Sequence, residues 1–408
     1  MKVRIFLFLF LSLLIFYAQL QARVAVFSAA IELRQPNDSL PEKGTKKKWP
    51  VRIAESFINR HAASEIYDSL YCGKWTYEQG MMLEALHQMW LFNHDAKYLT
   101  YIKTNVDMFI GGDGSIRTYN YEDFNLENIN TGRQLLFLYS LNKNKKYKAA
   151  ADTLMKQLKN QPRTKSGFFS DKKNCPSKLS LEGLYMYKPF YAQYSRMFRQ
   201  NKNFNDIARQ FILIKEKTLD TKTGLLQNAW DENLQTGGAD TITAKAPGFS
   251  ARAMGSYAMA LIDVLDYFPK NHPKRKELVK ILRELSEALL KARDENSLWY
   301  EAVGQGVQND SYLEASSNYM IAYAFAKGAN KEYLERKYLK FAKETFIGVA
   351  GKFASVDEMG RIDFHKAGGG TALKELGTFL LAAIELEKAE MLRKEDDLFP
   401  VKSKITKF

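Results

Sequence analysis

Residues 249–291 read FSARAMGSYAMALIDVLDYFPKNHPKRKELVKILRELSEALLK, and this stretch decides the class of fold. Met254, Tyr257, Ala258, Leu261 and Leu265 recur at three- and four-residue spacing, as do Leu278, Ile281, Leu282, Leu285 and Leu289. Each half therefore carries an apolar stripe along one face of a helix. The segment from Pro269 to Pro273 breaks the pattern, because proline lacks an amide hydrogen and crowds the preceding turn. The stretch is a helical hairpin. Beyond residue 50 the same pattern repeats, no segment alternates in the manner of a strand, and about twelve helices are expected, starting near residues 51, 77, 95, 127, 146, 181, 203, 249, 273, 311, 331 and 371. Gly, Asn, Asp and Pro punctuate them, as in Gly111-Gly112-Asp113-Gly114 and Pro162-Arg163-Thr164.

Twelve helices make six hairpins. Units that recur in this way bury their faces against their neighbours, and closing the array removes its exposed ends. The reading is an all-α, single-domain (α/α)6 toroid, a six-hairpin barrel. An open superhelix of helical pairs is the competing layout; the long loops at 111–126, 162–180 and 219–248 favour the ring, with those loops gathered at one mouth.

Outward from this core the chain divides into a signal peptide (1–22), an N-terminal extension (23–49), the helical domain (50–390) and a polar C-terminal tail (391–408). Lys2 and Arg4 precede an apolar run from Ile5 to Tyr17, a secretory pattern with cleavage expected after Ala22. The chain is thus expected to be exported, periplasmic or secreted, and to touch a membrane only if that segment stays uncleaved. Cys72 and Cys175 read as independent small core residues, although an oxidising compartment would permit one disulfide.

The formal net charge of +14 favours anionic partners. Its basic clusters, Lys46-Lys47-Lys48, Lys143 to Lys148 and Lys274-Arg275-Lys276, are solvated loops rather than one stripe. With no nucleic-acid motif in an exported chain, nucleic acid is excluded, and an extracellular uronic-acid polysaccharide is the natural polyanion. His61, His87, His94, His272 and His365 form no pair with metal-ligand spacing. No metal or other cofactor is expected, and nothing in the sequence sets an oligomeric state.

Particular segments carry more. Gln161-Pro162-Arg163-Thr164 leads through Gly167-Phe168-Phe169 to Leu181-Glu182-Gly183-Leu184-Tyr185-Met186 and Lys188-Pro189-Phe190. To these add Trp75-Thr76-Tyr77-Glu78-Gln79-Gly80, Glu127-Asn128-Ile129-Asn130-Thr131-Gly132, Thr223-Gly224-Leu225 with Trp230-Asp231, Arg252-Ala253-Met254-Gly255, and Tyr312-Leu313-Glu314-Ala315-Ser316. In this order the chain resembles the unsaturated rhamnogalacturonyl and unsaturated glucuronyl hydrolases, which adopt the (α/α)6 fold. The resemblance implies a cofactor-free reaction on an acidic oligosaccharide that a polysaccharide lyase has left with a 4,5-unsaturated uronic acid at one end. A carboxylic acid protonates the double bond, water adds at the neighbouring carbon, and the hemiketal collapses to release the next sugar. By the same resemblance Glu182 is the proton donor, Glu127 orients water or a sugar hydroxyl, Arg252 holds the substrate carboxylate in bidentate fashion, and Asn228, Trp230, Tyr77 and Glu314 bind sugar.

Each assignment has a plainer counterpart. Glu182 and Glu127 near helix starts would be favourable charges at a positive dipole end. Arg252 would be a helix-end ion pair, Tyr77 and Trp230 core aromatics, and Glu314 a cap. The sequence also departs from the family, which has Asp at 182 and 127, His at 228 and 170, and Trp at 169, 180, 250, 256 and 238; here these are Glu182, Glu127, Asn228, Ser170, Phe169, Ser180, Ser250, Ser256 and Gly238. A loop between Gly370 and Lys374 is also missing. A wider, wetter pocket follows. Three readings stay open: an unsaturated-uronyl hydrolase, a silent relative that binds acidic oligosaccharide or a partner protein, and a hydrolase of shifted sugar specificity.

Overall fold

Thr76 accepts a hydrogen bond from Gln79 N and starts helix α2 (Tyr77–Asn93), which ends where His94 turns left-handed. Asp95 at once caps α3 (Ala96–Asp107), so one hairpin closes within three residues. The same local logic repeats around the chain of this computed structural model, which describes residues 48–61, 73–170, 178–233, 248–303, 312–356, 362–364 and 372–398. The signal segment, most of the N-terminal extension, Cys72, Cys175, Gly238 and the last ten residues of the tail lie outside the described residues.

The further helices are α1 (Trp49–Arg60), α4 (Gly132–Asn142), α5 (Lys145–Asn160), α6 (Gly183–Met197), α7 (Asn203–Thr218), α8 (Ala251–Tyr267), α9 (Arg275–Lys291), α10 (Ala315–Asn330), α11 (Tyr338–Phe353) and α12 (Ala372–Leu398). Among the described residues the even-numbered helices pack in sequence, α2 on α4, α4 on α6, α6 on α8, α8 on α10, α10 on α12, and α12 back on α2. This is a closed inner ring, and with its outer partners it forms the (α/α)6 toroid expected from the hairpin count. Odd-numbered helices lie outside, each against the inner helix of its own hairpin. The sixth hairpin is split: α12 ends the ring, and its outer partner α1 comes from the other end of the domain.

Side chains follow the layers. In inner α8, Ala251 and every residue from Ala253 to Leu265 are buried, whereas outer α9 buries one stripe, Leu278, Ile281, Leu282, Leu285, Ser286, Ala288 and Leu289. No described helix is long and apolar enough to cross a membrane.

Three expected starts move. The helix expected near 127 is first a separate 3-10 turn, Leu126–Ile129, capped by Asn125, and α4 begins at Gly132. Those expected near 311 and 331 begin at 315 and 338, the second because Glu332 takes a left-handed turn, φ 59°. Strand β1 (Lys178–Ser180) pairs antiparallel with β2 (Ala229–Asp231), stapling two of the long loops together. A second pair joins β3 (Ala354–Val356) to β4 (Ile362–Phe364). Because each inner helix is followed by one returning along its outside, the inner helices run the same way. Their N-termini meet at one end.

Candidate active site

Glu182 is the residue before α6, and its side chain makes no capping hydrogen bond; Ser180 Oγ takes the Gly183 amide instead, at 3.4 Å. The carboxylate is thereby released from helix-end duty. Its Oε1 accepts from Lys374 Nζ at 3.1 Å, and its Oε2 lies 3.8 Å from Arg252 Nε. Lys374, in the first turn of α12, and Arg252, in the first turn of α8, thus reach it from two other inner helices.

Arg252 is a hub. Its guanidinium also lies 3.5 Å from Glu301 Oε1 and 3.7 Å from Glu314 Oε1. Burial disfavours its charge, but Glu314, Glu182 and Glu301 override this and hold it charged above the ordinary arginine range. These approaches are ionic and too long for good hydrogen bonds, and buried Nε has no hydrogen-bond partner. Glu301 is locked in place, accepting from Ser250 Oγ and from Arg252 N at 3.2 Å. Glu314 is fully buried before α10, where Ser316 Oγ donates to its Oε1 at 2.9 Å, while Oε2 has no partner.

Glu127 sits in the 3-10 turn ahead of α4, with Asn125 Nδ2 3.4 Å from its Oε2. Three bonds fix its segment against neighbouring elements. Trp75 Nε1 donates to Asn128 O at 2.8 Å, Asn130 Nδ2 to Tyr185 O at 2.9 Å, and Thr131 Oγ to Thr76 O at 2.6 Å. Tyr77, at the start of α2, is buried within reach of the charges of both acidic residues. Burial, then the charge of Glu182, with smaller contributions from Tyr185, Glu78 and Glu127, pushes its hydroxyl well above the ordinary value. Tyr77, Glu127, Glu182, Arg252 and Glu314 therefore come together at the N-terminal end of the inner ring.

Of the two other expected sugar contacts, Trp230 does not join them. On β2 the side chains alternate, so Trp230 faces away from buried Ala229 and Asp231 and packs under Lys217 of outer α7, 4.9 Å from its ring. Asn228 links the segments that carry the site: its side-chain oxygen accepts from Ser250 N, two residues before Arg252, at 2.6 Å, and its carbonyl from Leu181 N, next to Glu182, at 3.2 Å.

The wider pocket expected from the lost aromatics is not what several of these positions give. Ser256 is fully buried against Met320 Sδ at 3.4 Å, and Phe169 is buried on Tyr187 and Tyr191 beneath Arg163. Ser170 is also buried. Sequence reasoning missed Lys374, Glu301 and Glu375 as site residues; the legible signal was a Lys-Glu pair in the first turn of a final helix whose next residues, Leu376 to Ile384, carry no charge.

Beneath the site a buried polar network crosses the ring. Arg133 Nη2 pairs with Glu84 at 3.0 Å and Nη1 with Asp263 at 3.1 Å, and Nη1 donates to Tyr185 OH at 3.2 Å. Lys327 bridges Asp263 and Asp266, at 2.7 Å each, and Tyr323 OH donates to Asp263 at 2.6 Å. Burial opposes ionisation of Glu84, yet Arg133 and His87 hold it well below the usual carboxylate range. Tyr185, three residues after Glu182, ties the acid-bearing helix to this floor. Among the described residues no group of three or more His, Cys, Asp and Glu side chains is arranged to hold a metal ion.

Carboxylates set beside an arginine at the mouth of a helical toroid suit chemistry on an acidic sugar, and relatives of known activity share the fold. The chain is 25% identical over 300 residues to the unsaturated rhamnogalacturonyl hydrolase YesR of Bacillus subtilis (strain 168), covering 72% of this chain and 80% of that one. A glycoside hydrolase from family 105 of C. acetobutylicum ATCC 824 superposes with a TM-score of 0.78 at 35% identity, over 84% of this chain and 100% of that one. The unsaturated glucuronyl hydrolase of Bacillus sp. GL1 shares the fold at 12% identity, with a TM-score of 0.60 over 83% and 95% of the two chains. The sequence pattern of Glycosyl Hydrolase Family 88 runs through residues 49–389, nearly the whole toroid, and the chain belongs to that family of glycoside hydrolases.

Proposed function

We propose that the chain is an exported hydrolase of lyase-generated oligosaccharides whose terminal sugar is a 4,5-unsaturated uronic acid. The observation that carries this reading is the placement of the Glu182 carboxyl beside the Arg252 guanidinium, with the charges of both Glu182 and Glu127 reaching Tyr77. Arg252 is surrounded by carboxylates at ionic distance, yet Nε makes no hydrogen bond; a planar uronate fits that fork better than the glutamates do. In the reaction Glu182 gives its proton to the alkene carbon remote from the ring oxygen. Water held by Glu127 adds to the neighbouring carbon and yields its own proton to a carboxylate, and the hemiketal opens with release of the next sugar. The inner-helix N-termini gathered at this end of the ring favour the anionic end of such a substrate. The N-terminal charged and apolar pattern supports export.

The test is incubation of the purified protein with oligosaccharides from several polysaccharide lyases, following the ultraviolet absorbance of the conjugated double bond. Turnover that drops at least 100-fold in Glu182→Gln is expected, on the order of losing a general acid. Unchanged absorbance with every substrate would sink the reading. One observation favours a second reading, a binding protein without turnover: both oxygens of Glu182 already face cations. Oligosaccharide binding that ignores Glu182→Gln, with no turnover, would select it.

A further inference from the structure

Several aromatic residues on the segments that carry the site offer a sugar no open face. Trp75, Tyr77 and Tyr185 are buried, and Trp230 packs under Lys217. Tyr312 differs. It stands two residues before Glu314 and three before α10, at the end of the ring where the site lies, and it is 39% exposed. Among the described residues no other ring and no cation packs on its face. Backbone pairing fixes where it points. Tyr300 and Leu313 are antiparallel partners and Glu301 N donates to Tyr312 O at 2.9 Å, so Glu301 and Tyr312 stand opposite each other. Opposite residues project to one face, with Cβ atoms about 4.5–5.5 Å apart. Glu301 projects onto Arg252, 3.5 Å from its guanidinium, and Ser250 Oγ and Arg252 N hold it there. Tyr312 shares that face.

We propose that the Tyr312 ring and the Glu301 carboxylate form the subsite for the second sugar of the substrate, and that this subsite takes a neutral sugar in preference to an acidic one. The assignment rests on the reaction proposed above, in which Arg252 holds the terminal uronate. The C–H face of the second sugar lies on the exposed ring, which presents a flat apolar surface with a polar tip. Its hydroxyls donate to Glu301, whose two oxygens have more lone pairs than their present donors occupy.

Charge sets the selection. Arg252 already faces Glu182, Glu301 and Glu314, and the terminal uronate brings one more anion to it. The Tyr312 hydroxyl is raised above its ordinary value first by partial burial and then by Glu314; Arg252 opposes and Glu301 adds to the rise. Two carboxylates and one guanidinium thus reach the position of the second sugar. A carboxylate or sulfate there would meet like charge, whereas a neutral sugar supplies the hydroxyl donors that Glu301 accepts.

The experiment uses the full chain and two lyase-generated disaccharides that differ in the second sugar, one a neutral hexose and the other a uronic acid. The wild-type protein should turn over the first with a kcat/KM at least about 10-fold above the second. Tyr312→Ala should raise KM on the neutral disaccharide about five- to tenfold with kcat within about twofold, and Tyr312→Phe, which keeps the ring, should restore it. Calorimetric titration of the same disaccharides separates binding from reaction, and the neutral one should bind about five- to tenfold more weakly to Tyr312→Ala than to wild type. Unchanged KM and affinity in Tyr312→Ala overturn the platform, and an equal or better rate on the acidic disaccharide overturns the selection. Absence of turnover while the ring still governs affinity overturns the proposed function and upholds the subsite. Neither turnover nor binding of either disaccharide overturns both.

Discussion

Replacing Gly80 with alanine tests how α2 positions Glu127. Gly80 lies one turn into the helix, where a Cβ would meet Thr131 Oγ at 2.5 Å, Asn130 Oδ1 at 2.7 Å and Thr131 N at 2.8 Å. Ordinary carbon contacts begin near 3.4 Å, so the Asn130–Thr131 segment must retreat by most of an ångström. That segment carries Glu127 three residues upstream and is tied down at both ends. Overpacking of this kind costs about 1–3 kcal/mol. In isolation a mid-helix Gly→Ala change stabilises by about 0.5–1 kcal/mol. Gly351 of α11 supplies the comparison, because a Cβ there meets nothing within 4 Å. Urea unfolding should therefore find Gly351→Ala more stable than wild type by about 0.5–1 kcal/mol and Gly80→Ala less stable by about 0.5–2 kcal/mol. The separation between the two is the cost of the clash. Turnover of Gly80→Ala should fall by an order of magnitude or so as Glu127 is displaced, with Gly351→Ala at the wild-type rate. Equal stability of the two variants would refute the packing argument, and full activity in a destabilised Gly80→Ala would refute the link to Glu127.

Arg133→Met should cost about 3–5 kcal/mol in urea unfolding, because it strands Glu84 in the interior without its guanidinium partner while Asp263 keeps Lys327; a neutral result would show the network to be dispensable. Lys188 is fully buried among the Phe169, Tyr187 and Tyr191 rings, its Nζ has no hydrogen-bond partner, and burial lowers it from 10.5 to about 7. Between those values the unfolded chain binds more protons, so the stability of the wild type should rise as pH goes from 7 to 10; Lys188→Met should abolish that slope and gain about 1–4 kcal/mol at pH 7, and an unaltered slope would contradict it. Glu375 behaves oppositely, since its carboxyl is raised from 4.5 to about 7 and the native state holds the extra proton between those values. Wild-type stability should accordingly fall by about 3 kcal/mol from pH 4.5 to 8 relative to Glu375→Gln, measured by paired urea titrations, with parallel curves as the refuting result.

The helices were legible because each is written locally. The apolar stripe of α9, the Asp95 cap and the Pro269 break need no knowledge of the rest of the chain. Glu182 and Arg252 were reachable through the motifs that hold them. The cation against Glu182 was not, because Lys374 stands 192 residues away in sequence and arrives only when the ring closes. Substitution patterns misled at Ser256, where loss of a large ring suggests an opening. Packing depends on what fills the space, and there Met320 does.

That Lys374 sits on the last helix has a consequence for synthesis. A ribosome delivers α1 first and α12 last, yet these two form one hairpin, and α12 brings Lys374, the cation that hydrogen-bonds Glu182. Until the final helix emerges, five of the six inner helices exist with the seam open and the acid facing Arg252 alone. The site is therefore completed by the same event that completes the domain, and a chain truncated before Ala372 would lose the Lys374 grip on Glu182 together with the closed ring.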